Sequence, residues 1–304
     1  MEETIIKASH LYKSYKKAEV LHDLSFEVKK GHICGLIGPN GAGKTTALKI
    51  LGGLMFPDKG EIEFFGSGTG LDESRARMSF MIEQPIISIN MTARENLQYI
   101  RYLRGYPDEK RIDEVLDIVG LADTGKKTAQ KFSLGMKQRL GIGMALLPKP
   151  EILVLDEPVN GLDPQGMADV RHLLRRLCDE QGVTVLISSH LLSELSEMCD
   201  DFVIINGGRL IDSFSHEELL IKCRGHISLK TTDVGRTAAV LEEKLHIHDY
   251  KVVHGDEIHI FEHLDSIELI SEAVTKSGLV ITRLCEEGQS LEEYYIEKVG
   301  GING

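Results

Sequence analysis

Residues 38 to 45 read Gly38-Pro39-Asn40-Gly41-Ala42-Gly43-Lys44-Thr45 and satisfy G-x-x-x-x-G-K-[ST] at every fixed position. Glycines in such a loop let successive backbone N–H groups curl around a β-phosphate. A helix opening at Lys44-Thr45 turns the positive end of its dipole toward the same point. The Lys44 ammonium is placed to reach β- and γ-phosphate oxygens, and the Thr45 hydroxyl to ligate Mg²⁺. Farther along, Ile152-Leu153-Val154-Leu155-Asp156-Glu157-Pro158 ends an apolar run in two carboxylates. Asp156 is placed to hold Mg²⁺, directly or through water, and Glu157 to face an attacking water as general base. Together the two segments describe a site for nucleoside triphosphate hydrolysis.

Such residues need elements to carry them. His32 to Ile37 is a near-continuous apolar run, which predicts a strand buried on both faces just before the glycine loop. Glu151 to Asp156 and Val183 to Ser188 repeat that pattern, and Gln165 to Glu180 between them reads as a crossover helix. Ile5 to His10 and Leu24 to Val28 alternate as half-buried strands. Residues 90 to 148 change to helical periodicity: Thr92 with Glu95 forms a capping box, and Leu97, Ile100 and Leu103 follow on one face. A further helix is expected from about Arg111 to Val119. Alternating strands and helices predict a parallel α/β sheet with a helical insertion. Past residue 220 the order becomes βαββαβ: Ile227 to Leu229, Thr237 to Leu245, a hairpin of Tyr250 to Val253 with Ile258 to Phe261, Ile267 to Thr275, and Leu279 to Leu284. That order suggests a small ferredoxin-like domain, with Ser290 capping a short terminal helix.

Composition sets outer limits. Over 304 residues the formal charge is −12, which argues against a dedicated nucleic-acid binder. A hydrophobic content of 42% excludes global disorder, and the lack of Trp argues against an aromatic binding platform. No apolar run approaches the roughly 18 to 20 residues of a spanning helix, and Met1 to His10 lacks the pattern of a signal peptide. Cys34, Cys178, Cys199, Cys223 and Cys285 are scattered, as expected of reduced thiols in a cytoplasmic chain. Residues 221–304 hold six of the twelve histidines without the partner spacing of a metal site.

The chain resembles the ATP-binding cassette (ABC) ATPases. Besides the two phosphate-site motifs, Phe132-Ser133-Leu134-Gly135-Met136-Lys137-Gln138-Arg139 is similar to that family's signature segment. Asn160-Gly161-Leu162-Asp163 matches its D-loop, His190 its switch histidine, and Tyr15 the aromatic that stacks on adenine, a role for which Tyr12 competes. The resemblance implies a phosphate-loop cassette over residues 1–218, with a RecA-like α/β core, an antiparallel β subdomain and a helical subdomain at about 86–148. Residues 222–304 form the accessory α+β domain. It also implies ATP contacts from Tyr15, Gly38 through Thr46, Ser133, Gly135 and Asp163. Mg²⁺ would be held by Thr45, Asp156 and a residue of the loop after Met81. In that loop the family carries Gln, whereas Glu83 stands in the slot here and Gln84 follows one residue late. Glu157, His190 and Lys44 would be the catalytic groups.

Ile82-Glu83-Gln84-Pro85, followed by Asn90-Met91-Thr92-Ala93-Arg94-Glu95-Asn96-Leu97, resembles the bacitracin and lantibiotic self-protection exporters, in which a glutamate replaces that glutamine. By resemblance two cassettes pair head to tail, as a homodimer or with a similar chain, and each ATP lies against the partner's Ser133. An integral membrane permease would be a separate polypeptide, docked near Glu83 to Arg104, with the cassette peripheral on the cytoplasmic face of the membrane and no nucleic acid bound. Export of a cationic or cyclic antimicrobial peptide is the leading reading; sodium, lipid or polysaccharide export and a soluble non-transport ATPase are the alternatives.

Overall fold

The structure is a computed structural model that describes residues 3–16, 18–190, 192–223, 225–253, 255–287 and 294–296. The chain divides into two compact units, the first over described residues up to 216 and the second over described residues from 217 to 296. The terminal helix expected after Ser290 starts outside the described residues.

The first unit is organised by a six-stranded sheet. Its strands are β3 (Ile33–Ile37), β5 (Met78–Met81), β6 (Ile152–Asp156), β7 (Thr184–Ser189), β8 (Asp201–Asn206) and β9 (Arg209–Ser215), in the order β5-β6-β7-β3-β8-β9. All neighbours run parallel except the β8–β9 hairpin at the edge. Every residue of β3, β6 and β7 is buried, which explains why these three read as unbroken apolar runs. An antiparallel sheet β2-β1-β4, from β1 (Thr4–Tyr15), β2 (Ala18–Lys29) and β4 (Lys59–Phe64), forms a second layer. The helix α1 (Lys44–Leu51) is the core between them. Its Leu48 and Leu51 belong to one buried cluster with Ile6 and Leu24 of the antiparallel sheet and with Leu36, Val154 and Val203 of the parallel one.

The helical insertion contains α3 (Ala93–Leu103), α4 (Lys110–Ile118) and α5 (Leu134–Leu146), after the short α2 (Leu71–Ala76). Thr92 and Glu95 make the reciprocal capping box at the start of α3. Buried Asn96 holds the preceding loop, accepting from the Ser88 N–H at 2.8 Å and donating to the Thr92 carbonyl at 2.9 Å. Two further helices, α6 (Pro164–Gln181) and α7 (Leu192–Ser196), flank β7 in sequence. Small residues allow α5 to come close to α6: a Cβ on Gly135 would lie 3.4 Å from the Gly166 Cα.

The second unit, described by itself, begins in α8 (His216–Lys222) and holds β10 (His226–Thr231), α9 (Val234–Leu245), β11 (Tyr250–Val253), β12 (Glu257–Ile260), α10 (Ile267–Lys276) and β13 (Ile281–Glu287). The strand order β11-β12-β10-β13, all antiparallel, is that of a ferredoxin-like sheet. Ile227, Leu229, Ile258 and Ile260 meet Leu241, Ile270 and Val274 of the two helices in one core. On the strands' other side chains His226 stacks on His259 at 4.0 Å between ring centroids, and the Ser228 hydroxyl donates to Glu257. That bond, with Lys230 and His259 beside it, pulls the Glu257 carboxyl down to about 2.

Strands β4, β8 and β9 add to those expected from the sequence, although Glu61-Ile62-Glu63-Phe64 alternates and Phe202-Val203-Ile204-Ile205 is a continuous apolar run, and the β8–β9 turn supports the glycine loop. Gly208 donates its N–H to the Ala42 carbonyl at 3.0 Å and accepts from the His22 N–H at 2.9 Å. Its φ is +75° and a Cβ would fall 2.2 Å from the Val20 carbonyl oxygen. Gly208→Ala is therefore expected to destabilise the chain by about 2 kcal/mol or more. Urea unfolding measures it, and an unchanged midpoint would contradict this role.

Candidate functional site

The site forms where β3, β6 and β7 end together. β3 passes straight into the glycine loop, and the Gly38 N–H is held by the Ser189 carbonyl at 3.2 Å. Gly38 admits no side chain, since a Cβ would lie 2.4 Å from the Ile205 carbonyl oxygen, and Gly43 caps α1 at φ +105°. Lys44 opens α1 and is only 5% exposed. Its Nζ donates to the Gly38 carbonyl at 2.7 Å and lies 3.2 Å from Glu157 Oε1. The Thr45 hydroxyl donates to Asp156 Oδ2 at 2.9 Å.

The second half of the site comes from β6. Asp156 is buried at its last position, and Glu157 follows with φ +48°, a left-handed conformation uncommon for a residue with a side chain. This turn separates the two carboxylates. Asp156 faces Thr45, whereas Glu157 faces Lys44 on one oxygen and His190 Nδ1, at 2.8 Å, on the other. Asn160 adds a longer bond to the same Glu157 oxygen, 3.4 Å from its Nδ2. Lys44, Thr45, Asp156, Glu157 and His190 thus form one connected cluster, although 146 positions separate Lys44 from His190.

The remaining sequence-predicted residues lie apart from that cluster. Tyr15 is 44% exposed and donates its hydroxyl to Met55 Sδ at 2.9 Å. Exposed Ser133 caps α5, accepting from the Met136 N–H at 3.2 Å, with Gly135 in the first turn. Exposed Asp163 caps α6 through the Gly166 N–H at 3.1 Å, and Pro164 takes the first helical position. Glu83, at φ +66°, accepts from Lys49 Nζ at 2.8 Å instead of meeting Thr45. A cleft of about 610 Å³ nonetheless runs from Glu83 and Gln84 past Leu134 and Gln138 to Asp156 and Glu157.

Two participants escaped the sequence reading. Lys49 lies on α1 one turn beyond Thr45, and only the fold brings Glu83 to it. Ser188 was visible as a strand end; its contact with Asp156 is set by the register of β6 on β7, Asp156 opposite Ser188.

Residues 21–160 match the family model described as ABC transporter. The chain is 39% identical over 300 residues to the bacitracin transport ATP-binding protein BcrA of Bacillus licheniformis, covering 98% of both chains. It is 40% identical over 207 residues to the lantibiotic transport ATP-binding protein SrtF of Streptococcus pyogenes, covering 68% of this chain and 89% of that one. A solved ATP-binding subunit of an ABC transporter superposes with a TM-score of 0.61 at 30% identity, over 71% of this chain and 92% of the other.

The Lys49 ammonium holds the Glu83 carboxyl below the usual glutamate range, and Glu83 in turn raises Lys49. Lys49→Met should therefore let Glu83 protonate earlier as the pH falls, moving its titration up toward the ordinary value. Side-chain NMR titration reads this directly, and an unmoved Glu83 would contradict the pairing.

Proposed function

The chain belongs to the ATP-binding proteins of ABC transporters, and on that premise we propose that it drives export of bacitracin-type antimicrobial peptides. The observation that carries the peptide reading is the full-length match to a bacitracin transport protein, second unit included. The lantibiotic relative leaves only a tenth of its own length unmatched, too little for a counterpart of that unit. Cassettes of this family dimerise and work with membrane permeases. No helix among the described residues is long and apolar enough to cross a membrane, so docking on a separate permease at the cytoplasmic face supplies the membrane function. Ile86 in the loop before α3 is 92% exposed, and Tyr99, Tyr102 and Leu103 are exposed on α3, which supports docking along α3 and its preceding loop.

The site suits Mg-ATP. Thr45 Oγ1 and Asp156 Oδ2, 2.9 Å apart, are hard oxygen donors of the kind Mg²⁺ prefers. Thr45 and Asp156 would hold Mg²⁺, which would supply positive charge against the charge developing on the phosphate oxygens. Lys44 is held by carbonyls of its own loop and by Glu157, so an arriving γ-phosphate competes for an ammonium that is already in place. As Lys44 turns to phosphate, Glu157 Oε1 is released to accept a proton from water. His190 keeps hold of Oε2 and so keeps the carboxylate aimed. Tyr15 lies on the antiparallel sheet as a platform for the adenine ring.

The α5 end at exposed Ser133 offers an N-capped helix dipole as a second phosphate clamp, on a different helix from Lys44. A second copy of this chain, or a similar one, brings that end to each ATP.

Glu157→Gln should retain ATP binding and lower turnover by about 10²-fold or more, the usual contribution of a general base. In a strain lacking the chain, the native protein should restore resistance to bacitracin and Glu157→Gln should not. Unchanged susceptibility on deletion, with a defect in sodium export instead, would overturn the peptide reading.

A further inference from the structure

A hydroxyl that no motif names lies at the centre of the acid cluster. Ser188, fully buried in β7, is the direct neighbour of Asp156 in the β6–β7 ladder. Its hydroxyl donates to Asp156 Oδ1 at 2.6 Å and accepts from the Glu157 N–H at 2.9 Å. A serine hydroxyl has one proton to give and lone pairs to receive, so both bonds form at once. Each constrains a different residue. With Oδ1 engaged, Asp156 is rotated so that Oδ2 meets Thr45. With its N–H engaged, Glu157 is held in the left-handed turn that points its side chain away from Asp156 and toward Lys44 and His190.

We propose that Ser188 is a positioning residue for hydrolysis: its single hydroxyl sets the rotamer of the metal-holding carboxylate and the backbone turn of the general base. The proposal rests on the reading of Asp156 and Glu157 given above. An apolar residue at this position would leave the strand intact, since its backbone ladder is unaffected. It would leave a buried carboxylate oxygen and a part-buried N–H without their shared partner, and both acids would lose the constraint together. Phosphate binding by Lys44 and the glycine loop involves no atom of Ser188.

The decisive comparison is Ser188→Ala against Ser188→Thr, which keeps the hydroxyl. In Ser188→Ala, Mn²⁺ binding to the ADP-loaded protein, read by electron paramagnetic resonance, should weaken about 10-fold, and turnover should fall about 10- to 100-fold, as befits hydrogen bonds to a charged group. ADP affinity measured in EDTA should stay within about twofold, because the loop is untouched. Ser188→Thr should restore both losses. Ser188→Cys, of similar volume but with a weak donor, serves where the alanine variant does not fold, and should show the same losses. Native Mn²⁺ affinity and turnover in Ser188→Ala would overturn the proposal. So would an equal loss of ADP affinity in EDTA, a folded Ser188→Thr without recovery, or failure of both the alanine and cysteine variants to fold, since each marks a purely structural role. Glu157→Gln separates the layers: should it keep full turnover, the assignment of the base falls, whatever Ser188 does.

Discussion

Everything in the hydrolytic site depends on the register of three parallel strands. β6 pairs with β7 so that Asp156 lies opposite Ser188, and β3 pairs with β7 so that Ile37 lies opposite Ser189. All three strands therefore end at one level, where the chain leaves each for a functional loop. A slip of one residue in either ladder would turn Asp156 or Ser188 to the opposite face of the sheet. The register is secured from both faces, because β3, β6 and β7 are wholly buried and their side chains are packed against α1 and its surroundings.

That constraint explains how charged groups survive in a mostly apolar surrounding. Lys44 and Asp156 are almost fully buried, and each is satisfied by a short list of partners. Lys44 has two loop carbonyls and Glu157; Asp156 has two hydroxyls. A buried charge without such partners would be costly. In the proposed function the same partners set the chemistry, because the bond between Lys44 and Glu157 joins the proposed phosphate-binding group to the proposed general base. Helix ends extend this logic outward: α1 begins at the loop, while α5 and α6 begin at exposed caps, Ser133 and Asp163.

Much of this was legible in the sequence, for physical reasons that differ by element. The glycine loop and the twin carboxylates were legible because their chemistry needs fixed residue types at fixed spacings. The buried strands were legible because parallel strands covered on both faces must be continuously apolar. The βαββαβ order of the second unit followed from alternation and turns. By contrast, Ser188 and Lys49 depend on which strands and helices become neighbours, which no local pattern encodes. The left-handed turns at Glu83 and Glu157 were invisible for a related reason: tertiary bonds hold them against the preference of a residue bearing a side chain. The boundary shifted at β13, where the expected start at Leu279 gives way to Ile281 and the Leu279 N–H bonds back to the Val274 carbonyl of α10 at 3.4 Å.

In the proposed function, Lys44 on α1 and Ser133 on α5 are the two phosphate-binding ends, and a second chain completes the site by supplying the Ser133 end. Sedimentation velocity of the Glu157→Gln protein, which should hold ATP without turning it over, tests this most directly. Addition of Mg-ATP should convert monomers to dimers, and Ser133→Arg should abolish the conversion. A Glu157→Gln chain that binds ATP and remains monomeric at every concentration, beside a native chain that hydrolyses ATP equally well as a monomer, would contradict it.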